Sequence, residues 1–334
     1  MKPVRFTSFS ARDPARRGLA SRSWALFIPS LVALAVVAAL FLLSRRLLDQ
    51  ANVVVVYTSQ DQVYSEPVLR DFEARHGIRV RAVFDSEAVK TVGLANRLLA
   101  ESQHPQCDVF WNNEELRTWQ LAARGVLAQT PPWATVGYRT RRIVINTNLL
   151  DLSRAPRSLL ELTNSEWRGR VALGYPLFGT TATHFLALRQ HWGDTQWRAW
   201  CRALQANHPL VVDGNSVVVR MVGRGEAALG LADSDDVAAG QREGLPIAAL
   251  PAGEETLRIP NTVAITRGAP HPQAAQALQD FLRDPDTVAR LVEVHALESA
   301  SIPTTGDPGL RPDWDALLAS LEADTTFLKE VFLR

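Results

Sequence analysis

Cysteine is scarce: Cys107 and Cys201 are the only two in 334 residues. An exported chain could pair them, but the organisation argued below puts them in different lobes, where a bridge would lock a hinge. Two separate buried thiols are expected instead. Net charge is scarce as well. The basic and acidic residues, 36 against 35, leave a formal balance of +1, which makes no case for a nucleic-acid partner. The seven histidines, from His76 to His295, show no zinc-ligand spacing. Nucleophile elbow, phosphate-binding loop and histidine–carboxylate arrangement are all missing, so nothing argues for an enzyme. Internal repeats and low-complexity tracts are absent.

What the chain does have is an ordinary globular balance, 46% hydrophobic and 21% charged, and enough length for two lobes with real cores. One apolar span runs from Trp24 to Leu43, interrupted only by Pro29 and Ser30. At about 20 residues it can cross a bilayer. Lys2, Arg5, Arg12, Arg16, Arg17 and Arg22 precede it against a single Asp13, which keeps the N-terminus in the cytoplasm and sends the rest out. Cleavage after Ala51 or Ser44 would put Asp49 or Leu42 where signal peptidase wants a small residue. No cysteine adjoins the span for lipid attachment. An uncleaved anchor is therefore expected over a cleaved signal. Residues 1–23 form a basic cytoplasmic segment, 24–43 a signal anchor or signal peptide, 52–143 and 262–334 an N-terminal lobe, and 144–261 a C-terminal lobe.

The run Val53-Val54-Val55-Val56 is fully apolar and β-branched, as suits a strand buried on both faces of a parallel sheet. The polar residues after it, Tyr57 to Asp61, fall at the carboxyl end of that strand, where open α/β sheets bind ligands. Ser65-Glu66-Pro67 opens a helix and Gly77 stops it. Strands follow at Ile78–Phe84 and Asp108–Trp111, with a helix after each. Arg141–Asn146 leaves this lobe as an extended segment. A second α/β set begins at Arg170–Gly174 and includes a helix entered through Gly179-Thr180-Thr181, another capped by Asn215-Ser216, and a strand Ala227–Leu231 ending in Asp233-Ser234-Asp235-Asp236. Thr262–Ile265 crosses back, and the tail reads as helical to Arg334. Two α/β lobes joined by two extended segments make a hinge-bending clamp with its ligand between them. Four polar strand ends then converge on the cleft: Tyr57–Asp61, Asn112–Glu114, Gly179–Thr181 with Asn215, and Asp233–Asp236. The nine tryptophans read as core and cleft walls. Arg139, Arg141 and Arg142 read as a solvated basic face near the hinge, or as a surface that docks a transporter.

Four passages carry a resemblance: Val-Tyr-Thr-Ser-Gln before a helix bearing Asp71-Phe72-Glu73 and His76-Gly77-Ile78; Cys107-Asp108-Val109-Phe110-Trp111; Trp167-Arg168-Gly169-Arg170-Val171; and Asn215-Ser216 through Gly225-Glu226-Ala227-Ala228. In this order and spacing, over about 52–300, the chain resembles the periplasmic ferric-ion-binding proteins, extracellular solute-binding proteins that serve ABC importers. The resemblance implies a bilobed type II periplasmic-binding fold and a function of capture and delivery to a permease and its ATPase, at the periplasmic or extracytoplasmic face. No resident cofactor is implied; iron(III) or another hard cation enters as cargo.

Carried over residue by residue, the resemblance is mixed. Where those relatives place two adjacent tyrosines, this chain has Asp235-Asp236, and where they often carry an imidazole or phenol in the first loop it has Asp61. The glutamate ligand of the third loop falls at Asn113. The anion cradle falls at Gly179, Thr180 and Thr181 with Asn215. The expected ligand set is Tyr57, Ser59, Asp61, Asn113, Gly179, Thr180, Thr181 and Asn215, with Asp61, Asp235 and Asp236 as metal ligands. Plainer roles exist for several of them. Asp233 or Ser234 can cap a helix, as can Asn215 and Asp61, and Tyr57 can pack at the rim. Hard carboxylate oxygens suit Fe(III), Ca²⁺, Mg²⁺ or Mn²⁺. Two alternatives stay open: a small phosphonate or other anion-bearing organic solute, and the ligand-sensing domain of a membrane receptor.

Overall fold

The computed structural model describes residues 36–37, 52–84, 90–128, 131–301 and 308–333. The chain divides into two units, 1–52 and 53–334. The expected membrane span at 24–43 lies, but for Val36 and Val37, outside the described residues. Among those described, no helix is long and apolar enough to cross a membrane.

The valine run is β1 (Val53–Thr58), paired in parallel with β2 (Arg79–Val83) on one side and β3 (Val109–Asn112) on the other. Val54 and Val56 are fully buried, each contributing roughly 1.5–3 kcal/mol through loss of apolar surface. Helix α1 (Gln62–His76) begins a turn earlier than Ser65-Glu66-Pro67 and takes Pro67 inside it. It ends at Gly77, whose φ of 65° is cheap only for glycine. Helix α2 (Lys90–Ala100) and helix α3 (Glu115–Ala123) complete the first βα set.

Two long antiparallel strands connect the halves, β4 (Ala134–Asn146) and β9 (Leu257–Ile265). Both extend well beyond the Arg141–Asn146 and Thr262–Ile265 segments that the residues suggested. On the far side β4 pairs with β7 (Leu229–Asp233), and β7 with β5 (Val171–Gly174), which pairs with β6 (Leu210–Val212). A short β8 (Ile247–Ala249) adds to β4. The order β2-β1-β3-β9-β4-β7-β5-β6 makes one sheet. Each half of it is covered on both faces by helices: α4 (Gly179–Trp192), α5 (Asp194–Ala206), α6 (Asn215–Gly223) and α7 (Ser234–Arg242) on the second half, α8 (Pro272–Arg283) and α9 (Pro285–Glu293) on the first.

The last helix, α10 (Trp314–Phe332), lies against helices of both lobes. Its Leu317, Leu321, Phe327, Leu328 and Phe332 share one core cluster with Phe185, Trp197 and Trp200 of α4 and α5. The apolar stripe of the tail thus finds partners on the second lobe, while Trp314 at its start stacks on Trp119 of α3 in the first. Cys107 and Cys201 are both buried and free, one in each lobe's core.

Candidate functional site

The strand ends meet at a small cavity of about 50 Å³ between the lobes. Asp61 and Asn113 reach it from the first lobe; Gly179, Thr180, Thr181, Asn215 and Asp236 reach it from the second. Thr91, Arg139, Gly174, Tyr175, Phe178, Asp213, Gly214 and Asp233 complete the wall.

Tyr57 and Ser59 are placed elsewhere. The ring of Tyr57 is in the first lobe's core, its hydroxyl donates to Glu101 Oε2 at 2.9 Å, and the Arg97 guanidinium lies 4.6 Å over the ring. Burial, reinforced by the Glu101 carboxylate, pushes the phenol well above its ordinary range, so this phenolate is not available to a ligand. Ser59 is fully buried, its Oγ 2.6 Å from Asn112 Oδ1 and accepting the Asn113 N–H at 2.9 Å. It orients the loop that presents Asn113. Both side chains leave the cleft because β1 is sandwiched, so its ends point into cores as well as into the site.

Two residues that the basic run concealed dominate the electrostatics. Arg139 and Arg141 lie two apart on β4, hence on one face of the strand, and are 2% and 0% exposed. The solvated-face reading fails for both; only Arg142 is partly exposed, paired with Glu298. Arg139 donates to Asp235 Oδ2 at 2.7 Å and lies 3.3 Å from Asp233 Oδ2. Its other Nη reaches across the cleft to the Asn113 carbonyl at 2.7 Å. Arg141 donates to Asp233 Oδ1, Asn215 Oδ1 and Thr181 Oγ1, each at 2.8 Å. Asp233 sits at the N-cap position of α7 but makes no cap hydrogen bond. The arginines and the Thr180 hydroxyl, donating at 2.8 Å, claim its carboxylate instead.

The carboxylates respond differently to this setting. Burial opposes ionisation of Asp233, yet Arg139 and Arg141 hold it below the ordinary range. Burial pushes Asp235 up to about 6, with Arg139 offsetting part of the effect. Asp236 is pushed well up by burial and then by the like charges of Asp235 and Asp61. Ligand oxygens of Asp233, Asp235 and Asp236 lie within 4.8 Å of one another, and Asp235 Oδ1 has no partner among the described residues.

Helix ends supply the opposite sign. Helices α4 and α6 start at the cavity, after Phe178 and Gly214, and neither start is capped by a side chain. Their free N–H groups and macrodipoles favour an anion. The Thr180, Thr181 and Asn215 side chains, by contrast, are turned to Arg141 and Asp233, so the cradle that remains is made of backbone. The site is thus bipolar, with carboxylates against amide-rich helix starts.

A sequence profile of the bacterial extracellular solute-binding proteins matches residues 53–293. This chain belongs to that family. The solute-binding protein is 26% identical to an Fe(3+)-binding periplasmic protein of Serratia marcescens over 196 residues, 53% of this chain and 56% of that one; it thus spans about half the length of that relative. Its fold is that of iron-bound HitA from Pseudomonas aeruginosa, with a TM-score of 0.71 at 20% identity over 84% of this chain and 99% of the other. It is also that of AfuA from Actinobacillus pleuropneumoniae with fructose-6-phosphate bound, with a TM-score of 0.69 at 18% identity over 83% and 96%. The bilobed α/β binding fold and an extracytoplasmic, non-catalytic binding role follow for this solute-binding protein.

Proposed function

We propose that this protein is the solute-binding component of an ABC importer and that it closes on iron(III), with a small anion at the helix starts, for delivery to a permease and its ATPase. The observation that carries this reading is the charge of the cavity. Counted as formal charges, Asp61, Asp233 and Asp236 at the cavity and Asp235 beside it outnumber the guanidiniums of Arg139 and Arg141 by two, so a cation would take the place of the proton that burial favours on Asp236. Asp61 and Asp236 come from opposite lobes and offer hard oxygens. Asp235 is the third donor, through its unpartnered oxygen. Asn113, Gly179, Thr180, Thr181 and Asn215 then frame the anion. The likeness to the Serratia Fe(3+)-binding protein supports the same reading. Cavity size supports it too: a water needs about 10–15 Å³ of such space, so about 50 Å³ suits an ion with a few small groups better than a sugar phosphate. The segment 24–43 anchors the protein, or directs its export.

A second reading, a small anion-bearing organic solute, draws on Arg139 and Arg141 beside the uncapped helix starts. One experiment separates the two: metal analysis and mass analysis of ligand from the same protein purified from its cells. Iron near one equivalent, lost in the Asp61→Ala, Asp236→Ala double variant, is the expected result. An organic anion with no metal would overturn the iron reading and leave the transport role standing.

A further inference from the structure

Two helices bring carboxylates to the cargo site from opposite lobes. Asp61 stands at the N-cap of α1, and Asp235 and Asp236 fall in the first turn of α7. A second meeting point joins the same two helices. Arg242, the last residue of α7, reaches out of the second lobe into the first. Its Nη2 donates to the Tyr64 hydroxyl, in the first turn of α1, at 2.9 Å. Its Nη1 donates to the Val294 carbonyl at 3.0 Å.

Both acceptors suit a guanidinium. Tyr64 is 8% exposed and belongs to the first lobe's core cluster, so its hydroxyl is held in place, three residues after Asp61. Burial, followed by the charge of Asp235, pushes the phenol up, which keeps it a neutral hydroxyl with an oxygen that accepts. Val294 is the C-cap of α9. The last carbonyls of a helix lack intrahelical partners and stand at its negative end, where a cation is favoured. The planar fork of arginine lets the two bonds form together. An arginine in the last turn of α7 also complements that helix's own dipole, but this plainer role does not account for two bonds across to the other lobe.

We propose that Arg242 is a latch for the cargo: it ties the far end of α7 to the start of α1, and its release is what lets Asp61 and Asp236 part. The inference rests on the binding role argued above, and not on which solute fills the cleft. Helix α7 is nine residues long, about 13 Å, so a bond at its end constrains its start. Arg242 touches no cargo. It is a positioning residue that sets how long the closed complex lasts, and the first encounter, made with the lobes apart, does not need it.

Ferric citrate is the probe, with the full-length chain. Association is followed by quenching of tryptophan fluorescence, and dissociation by transfer of iron to an excess of chelator. Arg242 is exposed, which discounts its bonds. Arg242→Ala should therefore speed dissociation by about five- to tenfold and leave association within about twofold. Arg242→Lys, which keeps the charge but loses the fork, should fall between it and the parent. Tyr64→Phe should speed dissociation less than Arg242→Ala does, and the double variant should fall short of the sum of the two singles, as for groups in contact. Unchanged dissociation in Arg242→Ala, association slowed as much as dissociation is speeded, or effects that simply add would overturn the latch. If the parent takes up no iron, the iron reading falls, and the urea midpoints of the same variants decide the latch. A double variant less affected than the sum of the singles upholds it, and simple addition overturns it.

Discussion

Arg139 works as a counter-ion and as a clasp. It neutralises Asp235 and Asp233 on the second lobe and holds a carbonyl of the first. At an effective dielectric of about 20, contacts of this length are each worth about 5–6 kcal/mol, largely offset by the desolvation of the ions. Its removal is another matter, because the carboxylates stay buried. Arg139→Leu is expected to destabilise the protein by about 3–5 kcal/mol at neutral pH, read from urea unfolding; a change below 1 kcal/mol would mean that the pairing is not what holds this cluster. His184 yields a pH prediction. Its pKa, about 3 in the folded protein, lies below the ordinary value near 6.5. The unfolded chain therefore binds the proton more readily, so the stability is fully present above about 6.5 and falls as pH drops towards 3, by up to about 1.4 kcal/mol per pH unit. The charged groups that bear on the imidazole are Arg141 and Asp233. His184→Phe should flatten this acid limb in unfolding curves taken from pH 7 to pH 4; an unchanged slope would remove His184 from the account.

At the level of elements, the second lobe depends on helix α6 lying flat on the sheet. Gly230 in the middle of β7 permits it: a Cβ there would stand 2.5 Å from Val218 Cγ1 and 2.7 Å from the Ala172 carbonyl. Backbone on one side and a β-branched side chain on the other leave no room to yield. Gly230→Ala is expected to cost about 1–3 kcal/mol or more through overpacking and to displace α6, whose first residue, Asn215, lines the cleft. Circular dichroism melts would register the loss, and a melting temperature unchanged from that of the parent would contradict this packing. The starts of α4 and α6 illustrate how local chemistry is exported to the site. Neither has a side-chain cap, so both keep N–H groups for a ligand.

Over the whole molecule, several contacts join the lobes besides the hinge strands, among them three side-chain hydrogen bonds. Arg139 meets the Asn113 carbonyl, Thr183 Oγ1 donates to Glu114 Oε1 at 2.7 Å, and Arg242 Nη2 donates to the Tyr64 hydroxyl at 2.9 Å. Such contacts favour approach of the lobes. Tyr64→Phe combined with Thr183→Ala should shift the unliganded protein towards an open form with a larger radius of gyration by small-angle scattering; an unchanged profile would assign closure to the hinge alone. The cysteines provide an independent check. Cys107 and Cys201 sit in separate cores, and burial raises both thiols. Neither should react with a thiol reagent until the protein unfolds, and a reductant should not alter the melting temperature.

Local pattern alone carried a good deal. Four consecutive valines define an inner strand because no amphipathic surface could accept them. The polar residues after it, and after the later strands, mark the cleft because parallel sheets present their carboxyl ends to ligands; Asp61, Asn113, Gly179–Thr181, Asn215 and Asp236 all line the cavity. Other features are non-local. Arg139 and Asp235 are 96 residues apart in sequence, and Arg141 and Asp233 are 92 apart; no pattern within β4 says that its arginines are buried rather than solvated. The face of β1 that Tyr57 occupies, and the helices on which α10 packs, likewise depend on which surfaces meet. Strand identity and the polarity of strand ends are properties of short stretches of chain, so the sequence determined them. The partner of a charge, the direction of a side chain and the sign left over in the cleft are properties of a contact, and only the tertiary structure decided those.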